Sequence, residues 1–389
     1  MKTLVRQLKL NFLAPAIAIF ALTSCEKEEA TPNLRANISY TQVTDSTPYK
    51  SLFISANGDS TVDLKSGNDR LKMFQAINYY LGEAIRNNKT LDGTVMINMF
   101  SNTGNPFSDI ASLNLTGAAL NTSGVQLRNI TAASTADAET ARLRLETLFG
   151  QMANVSKSVG VTAKKGTAGQ LGNYLVDAQG VETAQVIQKS LIGAFQLDYI
   201  SNVLLDKGLD ADNYSLVSGK PYTQLEHNWD EAYGLLTLNP IYLAGSTDAA
   251  RGTSESFLGS YIWEYNKASY SKIYTAFLKG RVAIVNNDKT ELKTQATFIR
   301  TEMEKALAAA AVGYLGKWKT GTTDASRAHA IGEGLGFIYS LRYCAQNGAN
   351  TKFSDDILNA LITPTTGFWD LTNDKVNAAA DAITSKFKL

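Results

Sequence analysis

A chain of 389 residues that is 44% hydrophobic and 19% charged is long enough to bury a large core. Its formal net charge of +1 shows none of the basic surplus that a nucleic-acid partner selects. Two cysteines, Cys25 and Cys344, allow at most one disulfide and exclude a metal site built from thiolates alone.

The first 25 residues, MKTLVRQLKLNFLAPAIAIFALTSC, combine a basic start (Lys2, Arg6, Lys9) with an apolar run centred on Ala16 to Leu22 and small residues after it. This pattern predicts a secretory leader over residues 1–24, too short and too soon followed by polar sequence to be a stable membrane span. Its ending, LTSC, resembles the bacterial lipobox, which makes Cys25 the expected lipid attachment site. Acyl chains contribute about 0.8 kcal/mol per buried methylene, enough in combination to hold a protein on a membrane. The acidic EKEEATPN that follows reads as a solvated tether and resembles the export signal of surface lipoproteins in Bacteroidetes. Losing the leader removes three of the 37 basic residues and none of the 36 acidic ones. Once Cys25 carries lipid, Cys344 has no disulfide partner within the chain.

Residues 25–60 read as tether and irregular segment, with SLFISANGDSTV suggesting a strand, a turn and a second strand. From NDRLKMFQAINYYLGEAIRN onward, Leu71, Phe74, Ile77 and Leu81 recur at helical spacing. Residues 91–131 break the pattern with SNTGNPFSD and LNLTGAALNTSG and read as a long irregular insertion, with Phe107 anchoring the first turn. Helices are then predicted at about 134–158, 181–208, 221–236, 254–286, 290–317, 323–346 and 373–387. STADAET and TGTTDASRAHA supply caps for the first and sixth of these. A short hairpin is expected around NYLVDAQG, and GKWKTGTT reads as an exposed helix end. The aromatic run YIWEYNKASYSKIYTAF, residues 261–277, is expected to pack between helices. The predicted fold is all-α, two packed helical bundles over 61–240 and 250–389 joined near 238–253, with the short hairpin and the long insertion.

The chain lacks a phosphate-binding loop motif, a nucleophile elbow, a haem-attachment motif and a zinc-protease helix. Its two histidines share one pattern. HNWDEAYG (227–234) and HAIGEGLG (329–336) both read His, then Glu four residues later, then Gly three after that. On a helix these positions lie within about 40° of the histidine, so His227, Glu231 and Gly234 share one stripe, as do His329, Glu333 and Gly336. Asp230 flanks the first stripe, and Trp229 points to the opposite face. The small residues Ala232 and Gly334 leave room for a neighbouring helix.

Three chemistries fit. The stripes could hold a metal ion, for which imidazole and carboxylate suit iron, zinc or manganese. They could form a hydrogen-bonded network that sets helix register. They could also act as acid and base on a substrate in an inter-bundle cleft. The candidate metal or ligand residues are His227, Asp230, Glu231, His329 and Glu333.

Four pieces, VDLKSGNDRLKMF, AQVIQKSLIGAF, EHNWDEAYG and RAHAIGEGLGFIYSLRY, span residues 62–343. They resemble a Bacteroidetes lipoprotein family of unknown function related to imelysin-like proteins. Imelysin-like proteins are two-lobed helical proteins marked by G-x-H-x-x-E. Aligned on His227, this chain has Leu225 at the glycine position and Asp230 at the glutamate position. The resemblance implies an outer-membrane lipoprotein associated with iron or another divalent metal, with an outer-membrane receptor as partner and the membrane reached through Cys25. Some relatives carry a peptidase label, which implies a hydrolase as the alternative; no zinc-hydrolase motif accompanies it here.

Overall fold

Every turn of the helix Lys65–Arg86 (α1) brings an apolar residue to the interior, with Leu71, Phe74, Ile77 and Leu81 buried in the order their spacing predicts. The computed structural model describes residues 34–239, 255–362 and 367–389. Cys25, the leader and most of the predicted join at 238–253 lie outside them. Residues Asn33–Leu389 form one compact unit. Among the described residues, no helix is long and apolar enough to cross a membrane.

The described chain is all-α with one short hairpin. After α1 come Gly93–Ser101 (α2), Gly117–Asn121 (α3) and Ala138–Ser156 (α4). The hairpin pairs Gly169–Leu171 (β1) with Tyr174–Val176 (β2), antiparallel, with Leu171 opposite Tyr174 and Gly172 turning the chain at φ 58°. Thr183–Leu191 (α5) runs on into wider π-helical turns at Ile192–Leu197 and Tyr199–Leu204. The wider turn leaves the Ala194 carbonyl to accept from Ala132 N, and the Gln196 side-chain amide donates to Leu235 O and accepts from Leu258 N.

The helices Gln224–Leu236 (α6), Leu258–Tyr265 (α7), Lys267–Val285 (α8), Lys289–Thr320 (α9), Asp324–Ser340 (α10), Thr351–Leu361 (α11) and Asn373–Phe387 (α12) complete the fold. The 32-residue α9 is central, packed on α7, α8, α10 and α12, while α5 lies along α10 and α6 along α1. Phe107 is buried, as are Tyr261, Tyr270, Tyr274 and Phe277 from the aromatic run.

Five local expectations are corrected or refined. The insertion at 91–131 contains α2, started by Asp92, whose Oδ1 accepts from Thr94 N at 2.7 Å. The predicted helix over 254–286 is two helices, because the Asn266 backbone leaves the helical region at φ −142°, ψ 47°, while its side-chain amide donates to the Glu302 carbonyl at 3.0 Å. The predicted helix over 323–346 ends as α-helix at Ser340, and α11 begins beyond it. GKWKTGTT does end α9 with Lys317, Lys319 and Thr320 exposed, but Trp318 within it is buried. The STADAET segment does place the N-cap of α4, at Asp137, but the Asp137 side chain makes no capping bond, and the Ser134 hydroxyl bonds Asp198.

Candidate functional site

Both histidine stripes lie on helices that start with a reciprocal cap. Thr223 accepts from Glu226 N while the Glu226 carboxylate accepts from Thr223 N, which fixes the first turn of α6. Thr323 and Ser326 do the same for α10. These caps set the rotation of each helix, and so decide where His227 and His329 emerge.

On α6 the apolar face is anchored by Trp229, which is fully buried and donates from Nε1 to the Phe277 carbonyl at 2.9 Å. The opposite, polar edge is filled by carboxylates and guanidinium groups. Arg281 of α8 is 0% exposed and donates from Nη1 to Glu226 Oε1 at 2.8 Å, from Nε to Asp230 Oδ1 at 3.0 Å and from Nη2 to Thr61 Oγ1 at 3.0 Å. Arg35 reaches the same Glu226 oxygen, and Arg70 of α1 pairs with Glu231. Tyr49 OH donates to Asp230 at 3.0 Å. Three guanidinium groups thus face three carboxylates.

Burial raises the Asp230 carboxyl to about 7, because its Arg281 partner is shared with Glu226. Burial pulls the Arg281 guanidinium down, but Asp230 and Glu226 together more than restore it, so the cation holds and the acid weakens. His227 sits at the edge of this network, stacked on Tyr222 at 5.1 Å, with Nε2 3.8 Å from Glu231 Oε2. Its Nδ1 and Asp230 Oδ2 are buried without a hydrogen-bond partner among the described residues.

On α10 the arrangement repeats with different partners. His329 Nδ1 lies 2.7 Å from Glu182 Oε2, and its Nε2 lies 3.2 Å from Glu333 Oε1. Lys189 of α5 comes within 3.5 Å of the same Glu333 oxygen, and Tyr261 OH donates to the other at 3.3 Å. The Tyr174 ring of the hairpin stacks on His329 with centroids 4.2 Å apart. Burial pushes His329 down, but its bonds to Glu182 and Glu333 outweigh that and raise it to about 9. Burial pushes Glu333 up, yet His329, Lys189 and Tyr314 hold it at about 2. Lys189 is lowered by burial, with Glu333 and Glu182 opposing. Two cations again face two carboxylates.

The glycine of each stripe marks where another helix closes in. A Cβ on Gly234 would lie 2.8 Å from Leu64 O at the start of α1. One on Gly336 would lie 2.5 Å from Lys189 Cβ and 3.0 Å from Val186 O on α5. In both stripes, therefore, the glutamate takes a cation from the helix that the glycine admits: Arg70 of α1 for Glu231, Lys189 of α5 for Glu333. The shared H-x-x-x-E-x-x-G pattern has a shared geometry.

The five candidate residues are brought together as two groups, His227, Asp230 and Glu231 in one and His329 and Glu333 in the other. Among the described residues no hydrogen bond or ion pair joins the groups, and no three His, Cys, Asp or Glu side chains converge as a metal-holding group. Glu226, Glu182, Arg35, Arg70, Arg281, Lys189 and Tyr49 complete the networks without having been singled out in the sequence. Only one signal pointed to some of them: Arg281 in FLKGRVAIV and Lys189 in VIQKSLIGAF are charges set inside apolar runs.

The family model for a domain of unknown function, DUF4856, matches residues 49–389, which hold every residue of both networks except Arg35, and the chain belongs to that family. No curated protein and no solved structure matches the chain.

Proposed function

We propose that this is an outer-membrane lipoprotein, attached through Cys25, that works as a non-catalytic interaction protein related to imelysin-like proteins, with its two histidine stripes serving as helix joints. One observation carries this reading: every carboxylate of the stripes already faces a buried protein cation. Asp230 has Arg281, Glu231 has Arg70, and Glu333 has Lys189 and His329. A metal ion or a substrate would have to displace those cations, and stranding a buried charge costs about 3–5 kcal/mol. A protonated imidazole also offers no lone pair to a metal, and His329 keeps its proton up to a pH of about 9.

A second reading, capture of iron or another divalent metal for uptake through an outer-membrane receptor, has one observation in its favour. His329 Nε2 and Glu333 Oε1 are 3.2 Å apart, with Glu182 behind Nδ1 in the manner of a carboxylate that orients a metal-bound histidine. Elemental analysis after loading the full-length protein with ferrous, ferric, zinc or manganese ions decides between them. The helix-joint reading expects less than about 0.1 ion per chain after desalting, equal in wild type and His329→Ala. Near-stoichiometric metal that is lost in His329→Ala would overturn it.

A further inference from the structure

A cavity of about 420 Å³, within the range of small-molecule sites, is lined by α1, α5 and the start of α7. One of its lining residues, Phe257, has φ 52° and ψ −125°, a conformation that glycine takes freely and a bulky side chain resists. The other non-glycine residues with positive φ are asparagines, which tolerate it, except Ala132 and Lys388. The strained turn is held from three sides. The Phe257 ring stacks on Phe74 with centroids 3.7 Å apart, the Ser260 hydroxyl donates to Phe257 O at 2.8 Å, and the Gln196 side chain accepts from Leu258 N at 3.0 Å. Gln196 belongs to the π-helical run, a rare geometry that recurs at functional sites. Strain that its surroundings over-determine in this way gathers where ligands bind, and here it lies on a cavity wall.

The chemistry of the wall is that of neutral hydrogen-bonding groups. Apart from Leu113 and Phe257, every lining residue has a polar side chain. The Gln188 amide donates to Asn78 Oδ1, and the Gln75 amide donates to Ser256 Oγ at 2.9 Å. The Asn78 nitrogen and the Gln75 oxygen are left, one donor and one acceptor, without a hydrogen bond among the described residues. The carboxylate of the wall, Glu255, already accepts from Thr237, Asn239 and Tyr270. Its cation, Arg86, is exposed and stacks on Tyr79 at 4.1 Å. Behind the wall the second stripe fixes these groups in place: Lys189 donates to Gln188, and Tyr261 OH donates to Glu333 at 3.3 Å.

We propose that this cavity binds a neutral, multiply hydroxylated ligand, a carbohydrate of mono- or disaccharide size. A sugar hydroxyl donates and accepts at once, so one ligand meets both the Asn78 nitrogen and the Gln75 oxygen. An apolar ligand would cover these two groups and leave them unpaired. An ammonium ligand finds its carboxylate already occupied, and an anion finds a counter-charge only in Arg86. An extended peptide matches the amides, but the polar lining gives its side chains no apolar pocket.

The test is calorimetric titration of the full-length protein with maltose, cellobiose and lactose, and with N-acetyl-trialanine amide as a neutral peptide. At least one disaccharide is expected to bind with a Kd of about 1 mM or tighter, and the peptide to show no binding at about 10 mM. Asn78→Leu and Gln75→Met each remove one free amide group and are expected to weaken the sugar about fivefold or more. Both positions are only partly buried, so the melting temperature is expected to hold, and Gln75→Met carries the test if Asn78→Leu lowers it. No disaccharide binding at about 10 mM, peptide binding as tight as the best sugar, or sugar binding indifferent to both substitutions would each overturn the proposal.

Discussion

Arg281 has no contact with water, yet its guanidinium serves Glu226, Asp230 and Thr61 at once. Replacing it by methionine would keep the apolar packing of the stem and leave two buried carboxylates without their shared cation. Arg281→Met is expected to lower the unfolding free energy by about 3–5 kcal/mol in urea titrations, and a loss under about 1 kcal/mol would mean the pairs contribute little. Two acids of this network were legible, since Asp230 and Glu231 stand beside His227 in EHNWDEAYG, whereas Glu226 was not singled out. The cations were not, because Arg35, Arg70 and Arg281 come from remote stretches and no local periodicity ties them to α6. What local pattern does record is their misfit: a charge inside an apolar run needs a buried partner, and both Arg281 and Lys189 have one.

Helix crossings explain why glycine recurs beside these acids. A Cβ on Gly67 would meet the backbone of α6, 2.6 Å from Glu231 O and from Leu235 N, whereas one on Gly316 would meet nothing within 4 Å. Gly67→Ala is therefore expected to destabilise by about 1–3 kcal/mol through overpacking, and Gly316→Ala to stabilise by about 0.5–1 kcal/mol. Thermal melts of the two variants check both signs, and stabilisation by Gly67→Ala would contradict the close crossing.

Long amphipathic helices such as α1, α4, α9 and α12 were legible because their apolar spacing persists over four turns or more. The shorter α2 and α11 were hidden. Helix α11 spans only 11 residues and fully buries only Ile357 and Leu361 of its apolar residues, and its start is set by the Asn350 side chain, which accepts from Phe353 N at 3.0 Å. The break between α7 and α8 falls at Asn266, whose side chain donates to the Glu302 carbonyl, a contact no local window contains.

Across the whole molecule, the two networks join different halves of the chain. Arg281 and Asp230 fasten α8 to α6, and Arg35 brings the N-terminal segment onto the same carboxylate. Glu182, Lys189, His329 and Glu333 fasten α5 to α10. If these are joints, stability must follow their protonation. His329 is raised from 6.5 to about 9, so its contribution is fully present below about 6.5 and is lost as the pH rises through about 9. Glu333 is lowered from 4.5 to about 2, so its contribution is present above about 4.5 and is lost as the pH falls through about 2.

The most direct test is therefore the urea midpoint of wild type and His329→Gln, measured without added metal from about pH 6 to about pH 10. A stability gap that is widest at the acidic end and closes as the pH rises through about 9 is the expected result. A gap that is absent at pH 6, or that opens only when a divalent metal is supplied, would contradict a structural role for the histidine stripe.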